Sequence, residues 1–286
     1  AATPAVSSML VPVASGTLVA QNNQAQIDYS NTADGYVMVR YTASTTKRLK
    51  VQVKGPTTTY TYNITPGDAW TTFPLSDGNG TYQVVVYENI SGSKYATVLS
   101  QSISVSLKDE FAPFLRPNQY VDYEYADKTV AKAKELTAGK TVAKGARLAS
   151  TASNDLEVVE NIYNYVIHNI SYDFNKAANV SFGYLPNVDS ILSSGIGICF
   201  DYAALMTGML RSQGVPCKLV VGYAGTAYHA WISVWSEKDG WIDGVVYFDG
   251  TSWQRMDPTF AANGKQSSEI MRYIGDGSNY TVKYLY

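Results

Sequence analysis

Apolar and polar residues alternate in short runs over the first third of the chain. The clearest runs cover residues 35–43, 48–54, 58–64, 81–87 and 96–107. Alternation with a period of two places one face of a β-strand against a core and the other face in water. Turn residues such as Asp77-Gly-Asn-Gly80 separate runs about every ten residues, so about seven strands fit between residues 16 and 107. The pattern predicts an all-β sandwich of immunoglobulin or fibronectin type.

The alternation stops near residue 108. Residues 108–117 contain two prolines, and the strand rhythm does not resume directly after them. A chain of 286 residues also exceeds the usual size of one domain, which is about 100 to 200 residues. We therefore predict two domains, a β-sandwich over residues 1–107 and a second domain over residues 108–286.

Helical spacing appears only in the second domain. Residues 126–136 are rich in Ala and Lys, and residues 154–169 repeat apolar residues at helical intervals after Asn154, a candidate N-cap. Helix and strand candidates then alternate to the end of the chain. This mixture predicts an α+β fold for the second domain.

A Gly-rich turn leads into an apolar helix at residues 195–213, with Cys199 at its first turn. Unpaired amide N–H groups at a helix N-terminus favour a thiolate, so this cysteine is a candidate nucleophile. Asp201 fits as an acid in the first turn, or as a group that acts behind the nucleophile. Gly214 and Pro216 end the helix.

Two strand candidates after this helix carry residues that complement a thiol. His229 begins the strand over residues 228–235, and Asp257 ends a strand immediately before a proline. A nucleophile needs a base within hydrogen-bond reach, and the base needs a third group that fixes its tautomer. Cys199, His229 and Asp257 therefore form a candidate catalytic triad.

Several separate blocks around these residues resemble the transglutaminase-like superfamily, over about residues 154–260. The matching blocks are Gly197-Ile-Cys199 with Asp201 and Ala203, Arg211, Gly214-Val-Pro216, Gly222-Tyr223, His229-Ala-Trp231 and Asp257-Pro-Thr259. The resemblance implies a papain-like core, in which a catalytic helix packs against an antiparallel sheet. It assigns Cys199 as nucleophile, His229 as general base and then acid, and Asp257 as the residue that orients His229.

The resemblance also implies acyl transfer at amide bonds through a thioester, by an enzyme that acts as a cysteine peptidase, an amidase or a cross-linker. Animal cross-linking enzymes have Trp directly after the cysteine, where this chain has Phe200, and no segment matches their calcium sites. The residues are closer to the bacterial branch, where hydrolysis is at least as plausible as ligation. Family members often carry an aromatic oxyanion donor upstream of the cysteine, which makes Tyr172 a candidate; a packing tyrosine is the alternative.

Two other interpretations stay open from the sequence. Cys199 and Cys217 are 18 residues apart and could form a disulfide, which would disable the nucleophile; a buried thiol is the simpler expectation for Cys217. The chain could also be a non-catalytic cell-envelope binding module or adhesin that retains the scaffold of the enzyme.

Composition restricts the partners. The net charge is −2, charged residues make up 16% of the chain and no basic run exceeds two residues, so we expect no nucleic-acid partner. No run approaches the roughly 20 apolar residues of a membrane helix. Neither metal nor cofactor is expected, because two His and two Cys show no zinc spacing.

The tyrosine-rich uncharged surface and the opening Ala-Ala-Thr-Pro lead us to expect a secreted or cell-surface protein whose signal peptide has been removed. We expect it to act on a peptide, protein or cell-wall peptide.

Overall fold

The computed structural model describes residues 9–140, 142, 155–224, 226–237, 240–248, 253–254 and 280–286. The chain divides into two compact units, and the division falls between Pro113 and Phe114. The first unit comprises residues 11–113. The second contains the described residues from 114 to 286.

The first unit contains two four-stranded antiparallel sheets, with strand orders β1-β2-β3-β6 and β5-β4-β7-β8. The strands are β1 (Val19–Gln21), β2 (Ala25–Asp28), β3 (Tyr36–Tyr41), β4 (Leu49–Lys54), β5 (Thr59–Ile64), β6 (Thr71–Pro74), β7 (Gly80–Ser91) and β8 (Lys94–Val105). All five runs singled out by their alternation are strands.

The two sheets face each other across an apolar core. Along β4, Leu49, Val51 and Val53 are buried, while the residues between them are partly exposed. Tyr62 of β5 packs against Phe73 of β6, in the other sheet, with ring centroids 4.5 Å apart. Burying a side chain of this size contributes about 1.5–3 kcal/mol. Two packed antiparallel sheets agree with the predicted β-sandwich. Its similarity to immunoglobulin or fibronectin domains stays a prediction.

The second unit mixes helices with a five-stranded sheet in the order β14-β13-β12-β11-β15. Its helices are α1 (Asp127–Leu136), α2 (Asp155–Asn169), α3 (Phe174–Asn179), α4 (Val188–Ser194) and α5 (Cys199–Ser212). Its strands are β9 (Ser171–Tyr172), β10 (Ile196–Gly197), β11 (Cys217–Ala224), β12 (Ala227–Ser236), β13 (Gly240–Phe248), β14 (Trp253–Gln254) and β15 (Tyr280–Leu285). No helix within these ranges is long and apolar enough to cross a membrane.

Helix α5 lies at the centre of this unit. It contacts β11, β12 and β13 of the sheet, and α1, α2 and α4 pack against it. All residues from Asp201 to Ser212 are buried, as expected for a helix that is covered on every side. The predicted packing of an apolar helix against an antiparallel sheet is therefore present.

Arg211 connects the end of α5 to the sheet. Its fully buried guanidinium donates to the carbonyl oxygens of Cys217 at 2.9 Å, Arg116 at 2.9 Å and Tyr286 at 2.6 Å. These bonds satisfy a cation that would be costly to bury alone. They hold α5 in a fixed position relative to β11, and so fix the N-terminus of the same helix.

Candidate active site

A short parallel strand pair places Cys199 at the start of α5. Gly195 ends α4 in the left-handed conformation, with φ 70°, which glycine adopts without strain. β10 then pairs with β9, supported by hydrogen bonds from the Ser171 N–H to the Gly195 carbonyl, at 2.7 Å, and from the Asp173 N–H to the Gly197 carbonyl, at 2.9 Å. A side chain at position 197 would meet the Cβ of Asp201 at 2.8 Å, so a glycine is needed there.

Cys199 is a partly exposed residue whose sulfur lies close to backbone N–H groups. The N–H groups of Ala230, Phe200 and Cys199 itself lower the pKa of the thiol, as expected for a helix N-terminus. Burial has the larger effect, however, and raises the pKa of Cys199 above its ordinary value; the charge of Asp201 adds to this increase. The helix N-terminus alone therefore does not produce the thiolate that the sequence led us to expect.

His229 lies on β12, a strand that packs against the helix of Cys199. The N–H of its neighbour Ala230 lowers the pKa of the Cys199 thiol, and in the sheet His229 pairs with Gly222 of β11. A side chain at position 222 would lie 2.0 Å from the Thr281 carbonyl oxygen of β15, so only glycine allows the strands this register. Burial lowers the pKa of His229, which leaves the imidazole neutral at neutral pH.

The third member of the predicted triad, Asp257, lies outside the described residues. The structure describes β14, which ends at Gln254 and pairs with β13 at an edge of the five-stranded sheet. The role of Asp257 in orienting His229 therefore stays a prediction.

Tyr172 on β9 lies against the nucleophile. The backbone N–H of Cys199 lies near its hydroxyl and partly opposes the rise of its pKa, and its ring contacts Phe174, with centroids 5.0 Å apart, and Tyr202, at 6.5 Å. Burial and the neighbouring Cys199 and Asp201 raise the pKa of Tyr172, so the hydroxyl keeps its proton. Tyr172, the candidate oxyanion donor, therefore lies next to Cys199, whose backbone N–H is a second natural donor at a helix N-terminus.

A buried hydrogen-bond network, which we call the Asp201 network, lies behind the nucleophile. Asp201 is fully buried, and its Oδ2 accepts from Lys176 Nζ at 2.7 Å and from the Ile198 N–H at 2.9 Å. The Tyr184 hydroxyl donates to Oδ1 and lies 2.5 Å from Lys176 Nζ. The bond from Ile198 confirms Asp201 as an acid of the first helical turn. Lys176 and Tyr184 were not identified from the sequence, because neither belongs to a recognisable sequence motif.

Aromatic side chains surround the nucleophile. Phe200, directly after Cys199, lies between Tyr120 at 5.5 Å and Tyr184 at 6.3 Å, measured between ring centroids. Among the described residues of this unit, four aromatic side chains are more than half exposed: Tyr125, Phe174, Phe182 and Tyr228. Phe174 contacts Tyr172 and Tyr228 precedes His229 in the chain, so two of the four adjoin the candidate site.

Both cysteines are free thiols, which excludes the disulfide. Cys217 is completely buried, with its sulfur 3.5 Å from the Thr207 hydroxyl, and burial raises its pKa to about 11. The expectation of a buried thiol at this position is confirmed. Within the described ranges, no group of three or more His, Cys, Asp or Glu side chains could hold a metal ion.

Comparisons with known proteins point to the same part of the chain. Residues 142–243 match the family model of the transglutaminase-like superfamily, which confirms the resemblance. Over 68 residues, the chain is 29% identical to the protein-glutamine gamma-glutamyltransferase of Pseudomonas aeruginosa; the match covers 19% of this chain and 10% of that protein. The chain therefore spans about a tenth of the length of this curated relative.

Two solved structures also resemble the chain. The "putative cysteine protease" of Cytophaga hutchinsonii has a TM-score of 0.36 and 16% identity, with 72% of this chain and 77% of that chain covered. Red sea bream transglutaminase has a TM-score of 0.30 and 13% identity, over 72% of this chain and 47% of the other.

Proposed function

We propose that the protein performs thiol-dependent acyl transfer at amide bonds, with Cys199 as nucleophile and His229 as general base. One observation carries this proposal: Cys199, at the first turn of α5, and Ala230, the residue next to His229, lie so close together that the Ala230 N–H lowers the pKa of the thiol. Cys199 and the strand that carries His229 are distant in the sequence but adjacent in the fold, which supports a thiol and its base at one site. The match of residues 142–243 to the transglutaminase-like superfamily supports the same assignment.

The protonation states favour general-base catalysis over a preformed ion pair. The raised pKa of the thiol and the lowered pKa of the imidazole both favour a neutral pair at rest. His229 would therefore remove the thiol proton as the sulfur attacks the carbonyl carbon. It would then return that proton to the leaving amine as the C–N bond breaks, which gives a thioester on Cys199. Asp257 is the proposed partner that holds the imidazole in the required tautomer.

The oxyanion of the tetrahedral intermediate would be stabilised by Tyr172 and the backbone N–H of Cys199. This N–H lies near the Tyr172 hydroxyl, whose pKa it lowers. A substrate oxygen placed next to both groups would accept a hydrogen bond from the N–H and another from the tyrosine hydroxyl. Each well-placed donor is worth about 3 to 4 kcal/mol in the transition state.

We propose a peptide, protein or cell-wall peptide as the acyl donor, in a secreted or cell-surface setting. The exposed rings of Phe174 and Tyr228 offer apolar surface next to the nucleophile, which suits side chains that flank a scissile amide. Water as acceptor would give hydrolysis, and an amine would give ligation. We further propose that residues 11–113 form an immunoglobulin- or fibronectin-like domain.

Trapping an acyl-enzyme tests the proposal. The protein is incubated with a mixture of glutamine-containing peptides, quenched in acid and digested, and Cys199 is searched by mass spectrometry for a peptide-derived thioester. Added dansylcadaverine reports ligation, and newly formed carboxyl groups report hydrolysis. Cys199→Ala serves as the negative control, and Cys217→Ala controls for the loss of a thiol.

An adduct on Cys199 that is absent in His229→Ala supports the proposal. A wild-type protein that forms no adduct, and whose biological activity survives Cys199→Ala unchanged, would instead favour the non-catalytic binding module.

A further inference from the structure

Asp201 places a negative charge close to the reacting sulfur. It lies two residues after Cys199 in the first turn of α5, and its charge raises the pKa of the thiol. An unbalanced carboxylate at this position would oppose every step in which negative charge develops on the sulfur. The carboxylate nevertheless has a structural purpose, because it accepts the Ile198 N–H at 2.9 Å and so satisfies the N-terminus of the helix.

Lys176 supplies the opposite charge. Its Nζ lies 2.7 Å from Asp201 Oδ2 and 2.5 Å from the Tyr184 hydroxyl, and it also lies 4.2 Å from the centroid of the Tyr184 ring. Asp201 is fully buried, whereas the Lys176 side chain is 29% exposed. The ion pair is therefore shielded from solvent on the side of the carboxylate, where a missing partner would have its greatest effect.

The geometry points to Lys176 as a positioning residue that, through its ion pair with Asp201, balances the charge facing Cys199 and thereby sets the reactivity of the nucleophile. This inference rests on the function proposed above, because it concerns the same thiol. Lys176 itself acts only through Asp201 and contacts neither the sulfur nor the substrate.

Among the described residues, the other titratable groups beside the thiol are neutral at pH 7. They are Tyr172 on β9, whose pKa is raised, and His229 on β12, whose pKa is lowered. Tyr184 also stays protonated, because burial and Asp201 raise its pKa to about 12. Within the described ranges, the charged side chain that acts directly on the thiol is therefore Asp201. Lys176 determines how strongly the charge of Asp201 acts on the thiol.

The test measures the rate of Cys199 alkylation by iodoacetamide against pH, with the modified residue identified by peptide mapping. Lys176→Gln removes the charge but keeps a hydrogen-bond donor for Asp201. We expect the apparent pKa of alkylation to rise by about one unit, which lowers the thiolate fraction at pH 7 about tenfold. Higher intrinsic nucleophilicity offsets part of this, so the rate at pH 7 should fall about threefold.

Matched variants separate charge from structure. Lys176→Arg keeps the charge and should restore the wild-type profile, and Tyr184→Phe keeps both charges and should shift it much less than Lys176→Gln does. The double variant Lys176→Gln/Asp201→Asn removes both charges and should return the profile toward wild type. Lys132→Met, which breaks an ion pair with Glu135 elsewhere in this unit, should change nothing.

Two results overturn the inference: an alkylation profile of Lys176→Gln equal to that of the wild type, or a double variant shifted as far as the single one. Thermal unfolding is recorded for every variant, and if Lys176→Gln does not fold, Lys176→Met makes the same comparison. Alkylation needs no substrate, so this outcome is separate from that of the proposed function, whose failure is the absence of an acyl adduct on the wild-type protein.

Discussion

The hydroxyl of Tyr172 lies so close to Cys199 that the backbone N–H of Cys199 affects the pKa of the hydroxyl. In this position the tyrosine is a candidate donor to the oxygen of a carbonyl that the sulfur would attack. The ring contacts with Phe174 and Tyr202 hold it there. This relationship leads to the first of four predictions.

Tyr172→Phe should lower kcat by about 10²-fold with little change in KM, because removal of one oxyanion donor affects the transition state more than the ground state. The phenylalanine keeps the ring contacts, so thermal stability should change little. The measurement is steady-state turnover of a peptide substrate identified by the trapping experiment. The exposed Tyr125→Phe is the matched control, and an unchanged kcat in Tyr172→Phe would assign the tyrosine to packing.

The pH dependence should reflect a neutral thiol and a neutral imidazole. Because the pKa of His229 is lowered, its basic form persists below pH 6.5, and kcat/KM should decline only as the pH falls through that lowered value. Because the pKa of Cys199 is raised, alkylation of the free enzyme should keep accelerating above pH 9. Steady-state kcat/KM from pH 5 to pH 8 checks the acid limb, and stopped-flow alkylation up to pH 10 checks the rise above pH 9. Full reactivity at pH 5 would contradict this and indicate a thiolate-imidazolium pair.

The two cysteines should differ sharply in reactivity. Cys217 is fully buried, with its pKa raised to about 11, while Cys199 is partly exposed beside a base. Titration of the native protein with iodoacetamide should modify one thiol rapidly, and the second should react only after unfolding. Cys199→Ala should abolish the rapid phase and Cys217→Ala should leave it intact. A rapid phase that survives in Cys199→Ala would show that Cys199 is not the reactive thiol.

Arg211→Met should destabilise the second unit by more than 3 kcal/mol. The substitution leaves three buried carbonyl oxygens without their donor, and each loss costs about 1 to 3 kcal/mol. Urea unfolding followed by tryptophan fluorescence measures the change. Arg48→Met is the comparison, since Arg48 donates to one exposed carbonyl, that of Gly92, and its loss should cost well under 1 kcal/mol. Equal effects of the two variants would contradict the structural role of Arg211.

Local patterns were sufficient to predict the strands of the first unit and the helix that carries Cys199. In β4 the alternating burial of Leu49, Val51 and Val53 follows directly from a period of two. In α5 the apolar run and the Gly214-Val-Pro216 stop define the helix in the same way. These features depend on residues close in sequence, which is why the sequence reveals them.

The surroundings of the thiol could not be predicted this way. Lys176 lies 25 residues before Asp201 and belongs to a helix of six residues that has no apolar stripe. The sequence also predicted a lowered pKa for the Cys199 thiol, and this prediction is wrong. The effect of a helix N-terminus can be recognised from local residues, whereas burial by β12 and β9 cannot. The part of the triad assigned to Asp257 stays a prediction.

By itself, the sequence determined the resemblance to the transglutaminase-like superfamily and the candidate site: a cysteine at a helix start, a histidine on a later strand and motif blocks in the order of that family. Only the tertiary structure decided the direction in which the pKa of that cysteine is shifted. The pKa of a thiol depends on how completely surrounding elements exclude water and on which charges lie within a few ångströms. Both are properties of packing between segments that are distant in the chain.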